Sequence, residues 1–105
     1  MEKIIYNVTV NIDHDVHDDW VSWMKEVHIP DVMATKCFLE SRFCNVLSDH
    51  EQGGVTYSIQ YLAASEADLN RYQKEFAPKL QQEHTAKYNG KFAAFRTLLK
   101  MVDQF

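Results

Sequence analysis

Hydrophobic and polar residues alternate along two stretches of the chain, residues 3–12 and 55–63. A period of two with β-branched residues indicates a strand that buries one face. The side predicted to face the core carries Ile4, Tyr6, Val8, Val10, Ile12, Val55, Tyr57, Ile59 and Tyr61. The other side carries Ile5, Asn7, Thr9, Asn11, Thr56, Ser58, Gln60 and Leu62. The pattern therefore predicts a sheet with one apolar face and one mainly polar face.

Between these strands, residues 13–28 have the spacing of an amphipathic helix. Its predicted buried stripe consists of Val16, Trp20, Trp23, Met24 and Val27. Asp13 or Asp15 can cap its first turn. Pro30 lacks an amide hydrogen and its ring clashes with a preceding carbonyl, so we expect the helix to end near His28. A short turn over residues 31–35 should follow.

A second helix is predicted after the strand 55–63. Ser65 and Asp68 have the spacing of a helix-capping pair, and Asn89-Gly90 provides a left-handed stop. The apolar stripe between them consists of Leu69, Tyr72, Phe76 and Leu80. Pro78 falls inside this stripe and should kink or split the helix.

Residues 37–47 and 91–102 complete the pattern as further strands, the first with imperfect alternation that suggests a bulge. Residues 48–54 (SDHEQGG) have the composition of a hairpin loop. The order βαββαβ predicts a single α+β domain over residues 1–105 with the ferredoxin-like fold. We expect a four-stranded antiparallel sheet with two helices on one face, and we take its first and third strands to be central and parallel. The polar face of that sheet can be solvated, covered by a second subunit, or closed into a cavity.

The charge of the chain argues against nucleic acid as a partner. The 105 residues carry a formal charge of −4 without a lysine or arginine cluster, whereas nucleic-acid binding needs a basic face. The open-face positions of the two central strands are mainly Asn, Thr, Ser and Gln, without the aromatic side chains on which RNA-recognition motifs stack bases. No signal peptide and no apolar run long enough to cross a membrane is visible, so we expect a cytoplasmic protein without membrane contact.

The two cysteines, Cys37 and Cys44, lie in one predicted strand region, about 23 Å apart when extended. They are too distant to bridge each other, and we expect buried free thiols.

The segment Trp23-x4-His28-x-Pro30 is the most suggestive local group for chemistry. Histidine is suited to proton transfer near neutral pH, and His28 lies on the flank of the helical stripe, where its ring can reach a cavity. The alternative is a structural histidine that stabilises a helix C-terminus.

Other histidines have weaker claims. His14 and His17 have the spacing of a metal pair at i and i+3, but an acidic helix start explains the neighbouring aspartates, so we predict no metal site. His84 continues the row of Phe76 and Leu80 and is expected to be partly buried and hydrogen-bonded. No phosphate loop, dinucleotide fingerprint or serine elbow is present in the sequence, and we predict no cofactor.

Arg96 is a charged residue within a predicted strand, and its guanidinium can bind a carboxylate through two hydrogen bonds. It can equally pair with Glu40, or lie exposed on an edge strand, where charge opposes aggregation.

The segments IIYNVTVNID, WMKEVHIPDVMATKCF, GGVTYSIQYL and FAAFRTLL resemble a family of small uncharacterised bacterial proteins, a domain of unknown function. The resemblance runs nearly end to end and implies a ferredoxin-like chain of the dimeric α+β barrel type, without implying an activity. A wider resemblance is to antibiotic-biosynthesis monooxygenases, EthD-like proteins and stress-responsive barrel proteins. Some of these carry a similar aromatic-x4-His-x-Pro stretch, whose histidine can face the barrel pocket.

Three hypotheses follow for a homodimer of this fold. The first is a barrel that binds a small organic molecule between the open sheet face and the first helix. Its predicted ligand-binding residues are Asn7, Thr9, Trp20, Trp23, Phe38, Ser58, Gln60 and Arg96. The second is a cofactor-independent enzyme, monooxygenase- or isomerase-like, with His28 as general base. The third is a structural or interaction module whose open face is used up by dimer contacts.

Overall fold

The computed structural model describes residues 2–47 and 53–105 and confirms the predicted ferredoxin-like fold. The strands are β1 (Ile4–Ile12), β2 (Glu40–Asn45), β3 (Val55–Ala63) and β4 (Phe92–Lys100). The helices are α1 (His17–Trp23), α2 (Ile29–Ala34), α3 (Glu66–Glu75) and α4 (Ala77–Lys87), with a 3-10 turn at His14–Val16. Most of the predicted hairpin loop, residues 48–52, lies outside the described residues.

The sheet has the order β2-β3-β1-β4, and β1 pairs with β3 and β4 in antiparallel register. The expectation that the first and third strands are central is confirmed, but the expectation that they are parallel is wrong. The helical crossover brings β2 back in the direction of β1, and the hairpin then reverses β3. Strands β1 and β3 therefore meet in opposite directions.

The first helical region does not end near His28, and residues 31–35 do not form only a turn. It continues from α1 through a π-helical turn, Met24–His28, into α2, with Pro30 in the first turn of α2. The amide of Ile29 donates to the carbonyl of Met24, five residues back. Because Pro30 has no amide hydrogen to donate, the wider π turn lets the chain pass it without ending the helix.

The second helical region agrees with the sequence. Ser65 caps α3 by accepting a hydrogen bond from the Asp68 amide at 3.2 Å. Pro78 lies in the first turn of α4, and the break from α3 occurs at Phe76, whose φ of −123° is not helical. Gly90 has φ of +76°, the left-handed conformation expected after the helix.

The two faces of the sheet differ as the alternation predicts. The face under the helices contributes buried residues to the hydrophobic core, namely Tyr6, Val10, Ile12, Ile59, Tyr61 and Ala63. On the open face, polar side chains hydrogen-bond to one another: Ser58 donates to Asn7 and Asn11 to Thr56 across the strands, and Asn7 donates to Thr9 along β1. Phe95 and Leu99 lie on the same open face and are 62% and 44% exposed.

The cysteines correct one expectation. Both are free, but only Cys37 is buried, and it precedes β2 instead of lying within it. Cys44 is exposed, since it pairs with Ser58 and so shares the open face. In the described part of the chain, no helix is long and apolar enough to cross a membrane.

Candidate functional site

A cavity of about 180 Å³ lies between the helices and the sheet. Its apolar wall comes mainly from the strands, and its polar groups come from both layers. The polar and aromatic lining residues are Tyr6, His28, Tyr61, Tyr72, Gln81, His84, Thr85, Phe92 and Arg96. The aliphatic lining residues are Val8, Val10, Met24, Ile59 and Ala94. A cavity of about 150 Å³ is enough to hold benzene in a protein core, so this one suits a molecule with a single ring.

The π turn places His28 on this cavity. In a regular helix of 3.6 residues per turn, His28 would lie on the flank of the stripe through Trp20 and Met24. The inward positions of the structure instead recur every four residues, at Trp20, Met24, His28 and Val32. The underwound turn therefore rotates His28 toward the sheet, which an analysis based on 3.6 residues per turn does not predict.

His28 is half-buried in a largely aromatic environment. Its ring stacks on Trp23 with a centroid distance of 5.1 Å and meets the His84 ring edge-on at 5.7 Å. Its Nδ1 is buried and has no hydrogen-bond partner among the described residues. Burial lowers the pKa of His28 to about 4. Asp31 opposes this shift, and Arg96 adds a smaller lowering effect. His28 is therefore neutral near pH 7 and can accept a proton.

His84 is held by a buried hydrogen bond. Its Nε2 accepts the indole proton of Trp20 at 2.9 Å, so the neutral ring carries its own proton on Nδ1. Burial, followed by His28 and Arg96, lowers the pKa of His84 to about 4. The sequence-based prediction of a buried, hydrogen-bonded histidine is confirmed, and His84 in addition lines the cavity.

A polar cluster of Arg96, Tyr6 and Gln81 lines the same cavity. The Tyr6 hydroxyl accepts hydrogen bonds from Nε of Arg96 at 3.1 Å and from Nε2 of Gln81 at 3.4 Å. Arg96 does not pair with Glu40, because β2 and β4 are opposite edges of the sheet and Glu40 accepts from Arg42. Arg96 is instead exposed on the edge strand β4.

The predicted ligand-binding residues do not form one group. The structure brings together Arg96 and His28 on the cavity, and Trp23 stacks on His28. Trp20 and Phe38 are buried in the core and are not among the lining residues. The polar residues Asn7, Thr9, Ser58 and Gln60 belong to the open face. The first helix covers the opposite face, so no pocket forms between it and the open face.

The histidines near the start of α1 are placed differently. His14 is exposed, whereas Nε2 of His17 lies 2.6 Å from the Tyr57 hydroxyl and its Nδ1 lies 2.9 Å from Asp18. Across residues 2–47 and 53–105, no group of three or more histidine, cysteine or acidic residues is arranged to hold a metal ion.

Sequence reasoning missed Tyr6, Gln81 and Thr85 as parts of a site. Tyr6 alternates with core residues and so gave no sign that its hydroxyl meets Arg96. Gln81 and Thr85 are four residues apart, and each follows a residue of the stripe, Leu80 or His84, by one position. This polar row beside an apolar stripe was the available signal.

Comparison with known proteins identifies the family. The family described as "Domain of unknown function (DUF4286)" matches residues 3–102. The chain belongs to this family. The sequence resemblance to an uncharacterised family is thereby confirmed, and no curated protein matches.

Solved structures share the fold of this DUF4286 chain at low sequence identity. A dimeric ferredoxin-like protein from an uncultured marine organism has a TM-score of 0.74 at 10% identity, covering 98% of this chain and 97% of the other. The protein NE2512 of unknown function from Nitrosomonas europaea has a TM-score of 0.71 at 10% identity, covering 100% and 94%. SnoaB, a cofactor-independent oxygenase from Streptomyces nogalater, has a TM-score of 0.70 at 10% identity, covering 100% and 97%. At this identity, the likeness shows the fold alone.

Proposed function

We propose that this protein is a homodimeric domain that binds a small organic molecule in the cavity between its helices and its sheet. The observation that carries the proposal is the composition of the cavity. Aliphatic side chains form much of its wall, while His28, Arg96 and Gln81 bring a few polar groups to it. Ligand sites generally have this combination of apolar surface and few placed polar groups.

The buried Nδ1 of His28, which has no hydrogen-bond partner in the part of the chain that the structure describes, supports a bound ligand. A buried polar atom without a hydrogen bond costs about 1–3 kcal/mol, so such atoms are usually paired. A ligand that forms a hydrogen bond with Nδ1 of His28 would recover this cost. A residue with only a packing role would not need a polar atom at this position.

A pair of matched variants tests the cavity. Ala94 lines it, whereas Ala86 is exposed on α4. We expect Ala94→Leu to abolish the binding of single-ring fragments, measured by ligand-observed NMR, because it fills the cavity. Ala86→Leu should leave binding unchanged. Equal binding to both variants would show that the fragments sit elsewhere.

The homodimer is proposed to form through the open face of the sheet. Phe95 and Leu99 expose apolar surface there, and a solved ferredoxin-like neighbour is dimeric. A second sheet over this face would also enclose Asn7, Thr9, Ser58 and Gln60, where they would contact any molecule held between the two sheets. Sedimentation equilibrium should give a dimer that Phe95→Glu converts into a monomer. A monomeric parent protein would refute this part.

An enzyme with His28 as general base is the second candidate. It is favoured by the position of His28 on the cavity, and SnoaB shows that this fold can host a cofactor-independent oxygenase. Phenylpyruvate is a suitable probe because it combines one ring with an acidic C–H. We expect the protein to accelerate deuterium exchange of that hydrogen in D₂O, and His28→Ala to reduce the acceleration about 100-fold. Undiminished exchange in a folded His28→Ala variant would exclude this role.

A further inference from the structure

Arg96 places a positive charge on the cavity. None of the ion pairs found in residues 2–47 and 53–105 includes Arg96. Its Nε donates to the Tyr6 hydroxyl, which holds the guanidinium in place. The other guanidinium nitrogens have no hydrogen-bond partner among the described residues, so they keep N–H groups available for a ligand.

The charge of Arg96 reaches the rest of the cavity. After burial, which has the largest effect in each case, Arg96 contributes to lowering the pKa of His28 and of His84. It also acts in the lowering direction on the pKa of Tyr72, which burial raises. These three residues all line the cavity, and none of its lining residues in the described part of the chain is acidic. Arg96 therefore brings a positive charge to the described lining, while Asp31, which lies outside the lining, has the larger and opposite effect on the pKa of His28.

Three features fix the kind of molecule that fits. The volume of about 180 Å³ limits it to a single ring or a short chain. The guanidinium has the planar, two-pronged geometry that matches a carboxylate. The aliphatic and aromatic wall, which includes Val10, Ile59 and Phe92, requires an apolar body behind the charged group.

We propose that the cavity selects small monocarboxylates with one ring or a short apolar chain, with the carboxylate bound by Arg96 and the apolar body enclosed between β1, β4 and the helices. This inference rests on the proposed small-molecule binding. The inference adds that Arg96 recognises the negative charge of the ligand and that Tyr6 and Gln81 position the guanidinium of Arg96.

Benzoate and its neutral analogue benzamide test the inference, since they share a ring and differ mainly in charge. We expect titrations followed by amide NMR shifts to give tighter binding of benzoate than of benzamide. Arg96→Gln should weaken benzoate binding about ten-fold and leave benzamide binding nearly unchanged. Arg96→Lys should fall between the parent protein and Arg96→Gln, because lysine keeps the charge and loses the planar geometry.

Arg42→Gln is the matched control. Arg42 is exposed on β2, pairs with Glu40 and lies outside the cavity. Its replacement by glutamine changes the net charge by the same amount as Arg96→Gln. It should leave both affinities within two-fold. Amide spectra of each variant show whether it is folded, and because Arg96 is itself exposed on an edge strand, its replacement should not disturb the core.

The outcomes separate this inference from the proposed function. Equal binding of benzoate and benzamide, or an equal loss for Arg96→Gln and Arg42→Gln, would overturn the selection of monocarboxylates and leave the binding cavity in place. Failure of both probes to bind, together with failure of neutral fragments to distinguish Ala94→Leu from the parent protein, would overturn both.

Discussion

The polar groups on the two faces of the sheet differ in how far their hydrogen bonds and charges are satisfied. On the open face, Asn7 accepts from Ser58 on the neighbouring strand and donates to Thr9 on its own strand. Under the helices, Nδ1 of His28 is buried without a partner and Arg96 lacks a carboxylate among the described residues. A surface that completes its own hydrogen bonds is stable without a ligand. A buried polar atom without a partner, such as Nδ1 of His28, is where a ligand contributes most.

The largest expected difference between the faces concerns the truncation of an aromatic side chain. Trp20 is 0% exposed under the helices and donates to His84, whereas Phe95 is 62% exposed on the open face. Trp20→Ala should lower the free energy of unfolding by about 3–5 kcal/mol, because it leaves a cavity and an unpaired His84. Urea denaturation measures this change.

Phe95→Ala is the counterpart on the open face. It should cost less than about 1 kcal/mol in a monomer, since little buried area is lost. If the open face forms the dimer, the cost should instead depend on protein concentration. Similar losses for Trp20→Ala and Phe95→Ala at low concentration would contradict the contrast between the faces.

The two histidines under the helices, His28 and His84, should make the folded protein less stable at low pH. Burial lowers the pKa of both His28 and His84 to about 4, below the ordinary value of 6.5. Between these values the unfolded chain binds more protons than the folded one, so stability is full above pH 6.5 and falls as the pH drops toward 4. We expect a loss of roughly 2–4 kcal/mol, measured by urea denaturation at pH 7 and pH 4.5.

His84→Gln distinguishes this effect from general acid destabilisation. A glutamine oxygen can still accept the Trp20 hydrogen bond but does not titrate, so the loss at pH 4.5 should shrink. His14→Gln, at an exposed position, should retain the full loss. If the two variants respond alike, the buried histidines are not the cause.

The third prediction tests the pairing on the open face. Asn7 accepts from Ser58 and donates to Thr9, so Asn7→Ala removes two hydrogen bonds from a half-buried site. The expected loss is about 1 kcal/mol, measured by thermal unfolding, without an effect on ligand binding in the helix-side cavity. A loss of helix-side binding would show that the two faces are coupled.

The sequence predicted the fold well because its signals are local. Alternation defined β1 and β3, Ser65 and Gly90 marked helix ends, and Pro78 marked the break between α3 and α4. The candidate site was less predictable, since its partners are distant along the chain. The bond between Arg96 and Tyr6 joins residues ninety positions apart.

Pro30 shows why the same local signal can have two outcomes. Pro78 falls at a break in the helical path, whereas Pro30 is accommodated by a π turn that keeps the helix continuous. The packing of Trp20, Met24 and Val32 against the core holds this helix together on both sides of the turn. Tertiary contacts therefore decided the result, and with it the placement of His28.

The smallest expected effect on stability is also the most informative about the cavity. His28→Phe keeps an aromatic ring against Trp23 and removes a buried nitrogen that has no partner among the described residues. We expect the free energy of unfolding at pH 7 to stay the same or rise by up to about 1 kcal/mol, because an unpaired polar atom is no longer buried. Calorimetry on the parent protein and the variant measures the difference.

Such a gain would mean that histidine is kept at position 28 at a cost to stability, as is common for residues that serve a site. Tyr72→Phe provides the comparison, since it too removes one polar atom from the lining and retains the ring. A loss of more than about 1 kcal/mol in His28→Phe alone would instead assign His28 a structural role. Both the general-base proposal and the argument from its unpaired nitrogen would then fail.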